Sequence, residues 1–83
     1  MNYDSITKID IHGMRPEEAV KTLSRLIDGA PDTVYRIRVI HGYHRGTSLR
    51  SMIQYEYRYH SKVLRIMPGD NPGVTIPVLK ELY

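Results

Sequence analysis

The chain has 83 residues, 41% of them hydrophobic and 25% charged, with a formal net charge of +3 and no cysteine, which is typical of one small globular domain over residues 1–83 with a thin core. The lack of cysteine excludes disulfides, thiolate zinc sites and cysteine nucleophiles. Because no segment has the apolar run of a signal peptide or the roughly 20 apolar residues of a membrane-spanning helix, we expect a cytoplasmic protein without a membrane partner.

The first predicted element is a strand in the segment IDIHG, which ends at Gly13. The isoleucines of this segment alternate with Asp10 and His12, and this is the period-two pattern of a half-buried strand. The alternation places a carboxylate and an imidazole on one face. Such a pair can be a solvated strand end, or it can be a proton carrier with the group that orients it.

The next segment, MRPEEAVKTLSRLIDGAP, predicts an amphipathic helix. Pro16 suits the first helical turn, where its missing N–H costs nothing, and Gly29 and Pro31 end the helix. The apolar positions form one stripe. They are Ala19, Val20, Leu23, Leu26 and Ile27.

A second strand is predicted in TVYRIRVIH, where apolar residues alternate with Arg36 and Arg38. The helix between the two strands is long enough for a parallel crossover. The strands end at His12 and at His41, and each of these histidines is followed by a glycine. Both strand ends should therefore meet at the carboxyl edge of the sheet, where α/β proteins tend to bind ligands.

The second half of the chain predicts a helix from about Thr47, a strand in KVLRIM, a turn in PGDNPG and an antiparallel strand in VTIPVL. Pro77 cannot donate to a ladder, so we expect the fourth strand at an edge of the sheet. The predicted fold class is α/β (α+β): a two-layer β-α-β-α-β-β sandwich, with a mixed four-stranded sheet and two helices on one face.

Three tyrosines of the second predicted helix cannot share one face. They are Tyr55, Tyr57 and Tyr59. We expect one of them in the core, whereas the others could stack on bases or cover the surface.

Basic side chains are concentrated in the middle of the chain, where residues 36–65 contain seven Lys or Arg against Glu56 alone. A basic region in a small domain indicates a polyanionic partner, or it serves solubility. The start of the second helix would offer free N–H groups to an anion at the same sheet edge, close to Arg45 and Arg50.

The order of these motifs resembles the Smr domain, the small MutS-related family, from Ile6 to Leu82. IDIHG is similar to the family's L-D-L-H-G segment, and VIHGYHRGTSLR is similar to its H-G-x-G-x-G segment followed by leucine and arginine. Two further segments resemble parts of the family: its helix is similar to MRPEEAVKTLSRLI, and its closing glycine-rich turn and strand are similar to GDNPGVTIPVL. The resemblance implies a fold similar to the C-terminal domain of translation initiation factor 3.

The resemblance also implies binding and endonucleolytic cleavage of DNA or RNA, in some members on messenger RNA at the ribosome. The family's cleavage activity is attributed to the D-x-H segment, which in this chain is Asp10 and His12. His41 is a further candidate catalytic residue. We expect nucleic-acid contacts from the glycine loop and from the basic side chains near it. These residues are Arg36, Arg38, Gly42, His44, Arg45, Gly46 and Arg50. His44 replaces the middle glycine of the family's loop, so cationic side chains would stand in place of backbone donors.

Alternatives remain open for the chemistry. On RNA the 2′-hydroxyl could be the nucleophile and no metal is needed, whereas on DNA a divalent metal ion held by Asp10 could activate water. A structural zinc site is not expected, because a fourth ligand is missing. The rival functions are a nucleic-acid-binding or ribosome-binding module without catalysis, and a protein–protein adaptor that uses the open sheet face. The sequence gives no indication of oligomeric state.

Overall fold

The structure is a computed structural model that describes residues 6–43 and 47–81. Its elements follow the order β1 (Ile6–Asp10), α1 (Pro16–Asp28), β2 (Arg36–Ile40), α2 (Thr47–Tyr57), β3 (Arg65–Pro68) and β4 (Val74–Val78). The strands form one mixed sheet in the order β1-β2-β4-β3, in which β1 and β2 are parallel and β4 is antiparallel to both of its neighbours. The predicted element order and the fold class are confirmed.

The fourth strand lies inside the sheet, so the expectation that Pro77 marks an edge strand is wrong. The backbone N–H of Leu79 donates to the carbonyl of Tyr35 beside β2. By the two-residue alternation of a strand, the nitrogen of Pro77 also faces β2. The Cα pairs that join the two strands lie on both sides of this position: Arg36 with Val78, Val39 with Thr75, and Ile40 with Val74. The ladder therefore tolerates one missing donor in an interior strand.

Both helices cover the same face of the sheet, and their apolar stripes form the core. The buried positions follow the three-to-four-residue spacing that the sequence predicted. From α1 they are Ala19, Leu23 and Ile27; from α2 they are Leu49, Met52, Ile53 and Tyr57; the sheet side adds Ile11, Ile37 and Val39. Each of the larger side chains contributes about 1.5–3 kcal/mol by leaving water. Within the described ranges, no helix is long and apolar enough to cross a bilayer.

Tyr57 joins the two helices through its hydroxyl group. This hydroxyl donates to the carbonyl of Val20 at 2.9 Å and lies 2.8 Å from the Ser24 hydroxyl. The buried ring is thus satisfied at its polar end, as a buried tyrosine requires. This position confirms that one of the three tyrosines belongs to the core.

Among the described elements, no helix lies on the second face of the sheet, which we call the open face. In the parallel register Lys8 stands beside Arg38 and Asp10 stands beside Ile40. Neighbouring residues in register lie on the same side of a sheet. The open face therefore combines the carboxylate of β1 with the basic residues of β2, including Arg36.

Candidate nucleic-acid site

Three loops meet at the carboxyl ends of β1 and β2. The backbone N–H groups of His41 and Gly42 both donate to the carbonyl of Gly73, at 2.9 and 3.2 Å, so the β3–β4 turn lies against the loop after β2. Gly42 also lies next to His12, because a Cβ atom placed on Gly42 would be 3.5 Å from the Cβ of His12. The loop after β2 therefore touches both the loop after β1 and the β3–β4 turn.

Asp10 and His12 form a hydrogen-bonded pair at this edge. One carboxylate oxygen of Asp10 accepts from the backbone N–H of His12 at 3.0 Å and lies 2.6 Å from the ring Nδ1. The hydrogen bond from the His12 side chain, reinforced by the backbone one, lowers the pKa of the Asp10 carboxyl. An ionised carboxylate only accepts, so Nδ1 carries the hydrogen and Nε2 is left for another partner. The side chain of His12 is 70% exposed, so that nitrogen is accessible to a ligand.

Gly13 fixes the direction of the chain after this pair. The N–H of Met14 donates to the carbonyl of Ile11 at 3.0 Å, which closes a four-residue turn. Gly13 is the third residue of the turn and has φ +81°, a conformation that glycine adopts without strain. The turn follows β1 directly and leaves the imidazole of His12, its second residue, at an exposed corner.

His41 lies on the other side of the sheet, so the structure does not bring it together with the Asp10–His12 pair. It continues the alternation of Ile37 and Val39 toward the helices, and 2% of its surface is exposed. Its Nδ1 lies 3.0 Å from the carbonyl of Gly42, and its Nε2 lies 2.8 Å from the hydroxyl of Thr75.

The carbonyl of Gly42 and the burial of the ring together set the protonation of His41. A carbonyl only accepts, so Nδ1 carries the hydrogen, and Nε2 accepts the hydroxyl hydrogen of Thr75. Burial lowers the pKa of His41 and exceeds the opposing effect of the bond to Gly42, while the charge of Arg50 adds to the lowering. The ring is therefore a neutral support beneath Gly42 and β4, with both nitrogens engaged.

The basic residues of the open face differ in how free they are. One guanidinium nitrogen of Arg38 donates to both oxygens of Asp70, at 2.8 and 3.0 Å, and this bond lowers the pKa of the Asp70 carboxyl. Arg38 thus ties the β3–β4 turn to β2 with its charge compensated. Within residues 6–43 and 47–81, Lys8 and Arg36 have no carboxylate partner, so they are the uncompensated cations of this face.

Of the remaining residues predicted to contact nucleic acid, the structure describes two and leaves three undescribed. Arg50 is exposed on α2 and lines a cavity of about 430 Å³ against the β3–β4 turn, together with Gln54 and Asn71. Gly42 has φ +94° and no side chain between its backbone and His12. The other three loop residues lie outside the described residues. They are His44, Arg45 and Gly46.

A metal ion would find few ligands here. Asp10 and the Nε2 of His12 are two donors, and the described part of the chain contains no group of three or more His, Asp or Glu side chains that could hold a metal. Two donors do not complete a tetrahedral zinc site. Because the Asp10 carboxylate contacts Nδ1, Nε2 points away from it and the two donors do not face one ion. A hydrated hard cation, which uses one or two carboxylates and keeps its waters, would use Asp10 alone.

Sequence reasoning missed the partners supplied by the β3–β4 turn and by β4. Asp70 compensates Arg38, Thr75 engages His41, and the side-chain oxygen of Asn71 accepts from the N–H of Gly73 at 2.8 Å. The run GDNPG signalled a turn. Nothing in that run indicates that the turn folds back on the two histidine–glycine strand ends.

Comparisons with known proteins agree with this architecture. The model of the Smr domain family matches residues 9–79. The solved Smr domain of Thermus thermophilus MutS2 has a TM-score of 0.80 and 22% sequence identity, with 90% of this chain and 99% of that chain covered, and so shares the fold. Among curated protein sequences, none matches this chain. Because the family model spans most of its length, the chain belongs to the Smr domain family, whose members bind nucleic acid and in some cases nick it.

Proposed function

We propose that this chain binds nucleic acid at the carboxyl edge of its sheet and cleaves phosphodiester bonds there as an endonuclease. His12 is the proton carrier, and Asp10 is the group that orients it. The observation that carries the proposal is the 2.6 Å contact between the Asp10 carboxylate and Nδ1 of an otherwise exposed histidine. A carboxylate on one ring nitrogen fixes the tautomer in which the other nitrogen is basic.

RNA is the substrate whose cleavage needs the fewest groups besides Asp10 and His12, because it supplies its own nucleophile. Nε2 of His12 takes the proton of a 2′-hydroxyl while that oxygen attacks the adjacent phosphorus. The bond to the 5′-oxygen breaks, that oxygen takes a proton from water, and protonated His12 returns its proton to water. The products are a 2′,3′-cyclic phosphate and a 5′-hydroxyl end. On DNA the nucleophile is water, and a divalent ion on Asp10 would supply the activation of that water.

The phosphate backbone would lie across the open face and the glycine loop. Lys8 and Arg36 supply uncompensated positive charge on the face that carries Asp10. Gly42 lets a phosphate approach the backbone next to His12, because no side chain stands there. Arg38, Arg50, and the loop residues His44, Arg45 and Gly46 are the further expected contacts.

The test is a turnover assay with labelled single-stranded RNA, hairpin RNA and branched DNA, each with Mg²⁺ and with a chelator. We expect wild type to cleave at least one RNA, and Asp10→Asn to bind that RNA as well or better while losing cleavage. The bond that breaks should leave a 5′-hydroxyl, which a kinase can label. Cleavage that is unchanged in Asp10→Asn would place the active site elsewhere.

A second candidate is a binding module without catalysis, acting on RNA, DNA or the ribosome in the cytoplasm. One observation supports it: at this sheet edge the described residues include one carboxylate–histidine pair, Asp10 with His12, where a nuclease commonly uses more than one acid or base. Salt-dependent binding without cleavage of any of the three substrates would establish this candidate.

A further inference from the structure

The outer face of α2, together with the turn after it, forms an open groove of about 650 Å³ that shares only Arg50 with the proposed site. It is lined by Arg50, Ser51, Gln54, Tyr55, Arg58 and Tyr59. The lining residues recur every four positions, in one set with two arginines and a second set with two tyrosines, and the last member of each set follows the end of α2 at Tyr57. None of the described residues that line it is acidic.

The two tyrosines of this groove are the most exposed aromatic side chains described. Tyr55 is 85% exposed and Tyr59 is 87% exposed, whereas Tyr57 between them is buried. An exposed ring gains almost nothing from burial, so neither ring contributes much to the fold. The guanidinium of Arg58 lies 6.0 Å from the ring centroid of Tyr59, which keeps a cation beside an open aromatic face.

The groove is continuous with the proposed site through Arg50. This side chain also lines the cavity against the β3–β4 turn, together with Asn71 and Pro72. The same turn contacts Gly42, which stands beside His12. A strand held at the glycine loop can therefore pass over the β3–β4 turn and reach the tyrosines along a line of cationic and polar side chains.

We propose that this groove binds a single-stranded segment of the nucleic acid, with unpaired bases stacked on Tyr55 and Tyr59 and phosphates beside Arg50 and Arg58. The inference rests on the proposed nucleic-acid binding and specifies the form that is bound. Bases inside a duplex are already stacked and cannot offer their faces to a side chain, so this surface selects unpaired nucleotides. Stacking on aromatic rings next to a basic groove is tolerant of sequence, because every base has a π-face.

The test compares a fluorescein-labelled oligouridylate with a blunt RNA duplex by fluorescence anisotropy. The double variant Tyr55→Ala/Tyr59→Ala should weaken single-strand binding by at least about tenfold, as expected for the loss of two stacked bases. Its affinity for the duplex should change by less than about twofold, because the phosphate contacts remain. Since both side chains are exposed, thermal unfolding should match wild type.

Two further double variants separate stacking from apolar contact. Tyr55→Phe/Tyr59→Phe keeps the rings and should retain single-strand affinity, whereas Tyr55→Leu/Tyr59→Leu keeps apolar surface and should lose it. Unchanged single-strand affinity in the alanine variant, or an equal loss on the duplex, would overturn the stacking platform and leave the proposed site intact. If wild type bound neither probe, the proposed function would fail, and this inference would fail with it.

Discussion

The chain contains two strand ends of the same composition, His12-Gly13 and His41-Gly42, and the fold puts them to opposite uses. His12 faces solvent beside an ionised carboxylate, whereas His41 is buried between a carbonyl and a hydroxyl. The first histidine keeps one nitrogen free, and the second has both nitrogens engaged. Position on the strand decides this difference, because residue 12 falls on the open face and residue 41 on the helix face. A histidine at a strand end therefore indicates a site only after its face is known.

The largest effect should come from breaking the exposed pair. Asp10→Asn and His12→Ala should each lower cleavage by at least about 10²-fold, as is typical for loss of an acid/base group. The double variant should be no worse than the poorer single variant, because the two residues act as a unit. Single-turnover cleavage of RNA measures all three.

A matched control exists at the far end of the molecule. Asp28 also stands beside a histidine, with its carboxylate 3.4 Å from Nε2 of His60. Asp28→Asn removes the same charge from a comparable pair and should leave cleavage unchanged. An equal loss in Asp28→Asn would mean that net charge, and not the orientation of His12, controls the rate.

Changes at the buried His41 and its partner Thr75 should lower the stability of the fold. Thr75→Val keeps the shape of the side chain and removes the donor to Nε2 of His41, so the free energy of unfolding should fall by about 1–3 kcal/mol. His41→Ala should cost at least as much, because it also leaves a cavity. Urea denaturation measures both, and the folded fraction of each variant should keep its cleavage rate. Loss of cleavage in a fully stable Thr75→Val would instead support a catalytic role for His41.

The sequence predicted those parts of this comparison that depend on local pattern. Helical spacing identified the buried faces of α1 and α2, and alternation placed Asp10 with His12. The same alternation, applied one step beyond Val39, would have put His41 on the helix face. The prediction instead grouped His41 with Asp10 and His12 because all three lie at strand ends, without regard to the face on which His41 falls.

Long-range pairing is what the sequence could not supply. Which strand neighbours β2 depends on contacts across the whole sheet, so Pro77 suggested an edge that β4 does not occupy. The bond between Arg38 and Asp70 joins residues that are 32 positions apart. No local spacing rule relates residues at that distance. The catalytic role of Asp10 and His12 and the phosphate contacts of the basic residues stay predictions.

Variants of the two arginines of β2 should differ in the salt dependence of nucleic-acid binding, because one guanidinium has no carboxylate partner among the described residues and the other is paired with a carboxylate. Arg36→Ser removes an uncompensated cation, so the slope of log affinity against log salt should flatten by about 0.7–0.9. Arg38→Ser should change the slope less, because Asp70 already compensates its charge, and it should loosen the β3–β4 turn. Binding titrations over a series of salt concentrations measure both slopes. Equal slopes for the two variants would show that Asp70 releases Arg38 when nucleic acid binds.

The smallest effect should be a pH dependence of stability that comes from the buried histidine. Burial lowers the pKa of His41 in the folded chain, so the unfolded chain takes up the proton first as the pH falls. The contribution of neutral His41 is fully present above the ordinary histidine pKa of about 6.5 and is lost as the pH drops below it. His41→Gln cannot titrate, so the stability of this variant should fall less than that of wild type between neutral and mildly acidic pH. Urea midpoints over that range measure the difference, and parallel curves for the two proteins would show that His41 does not titrate differently in the folded and unfolded chains.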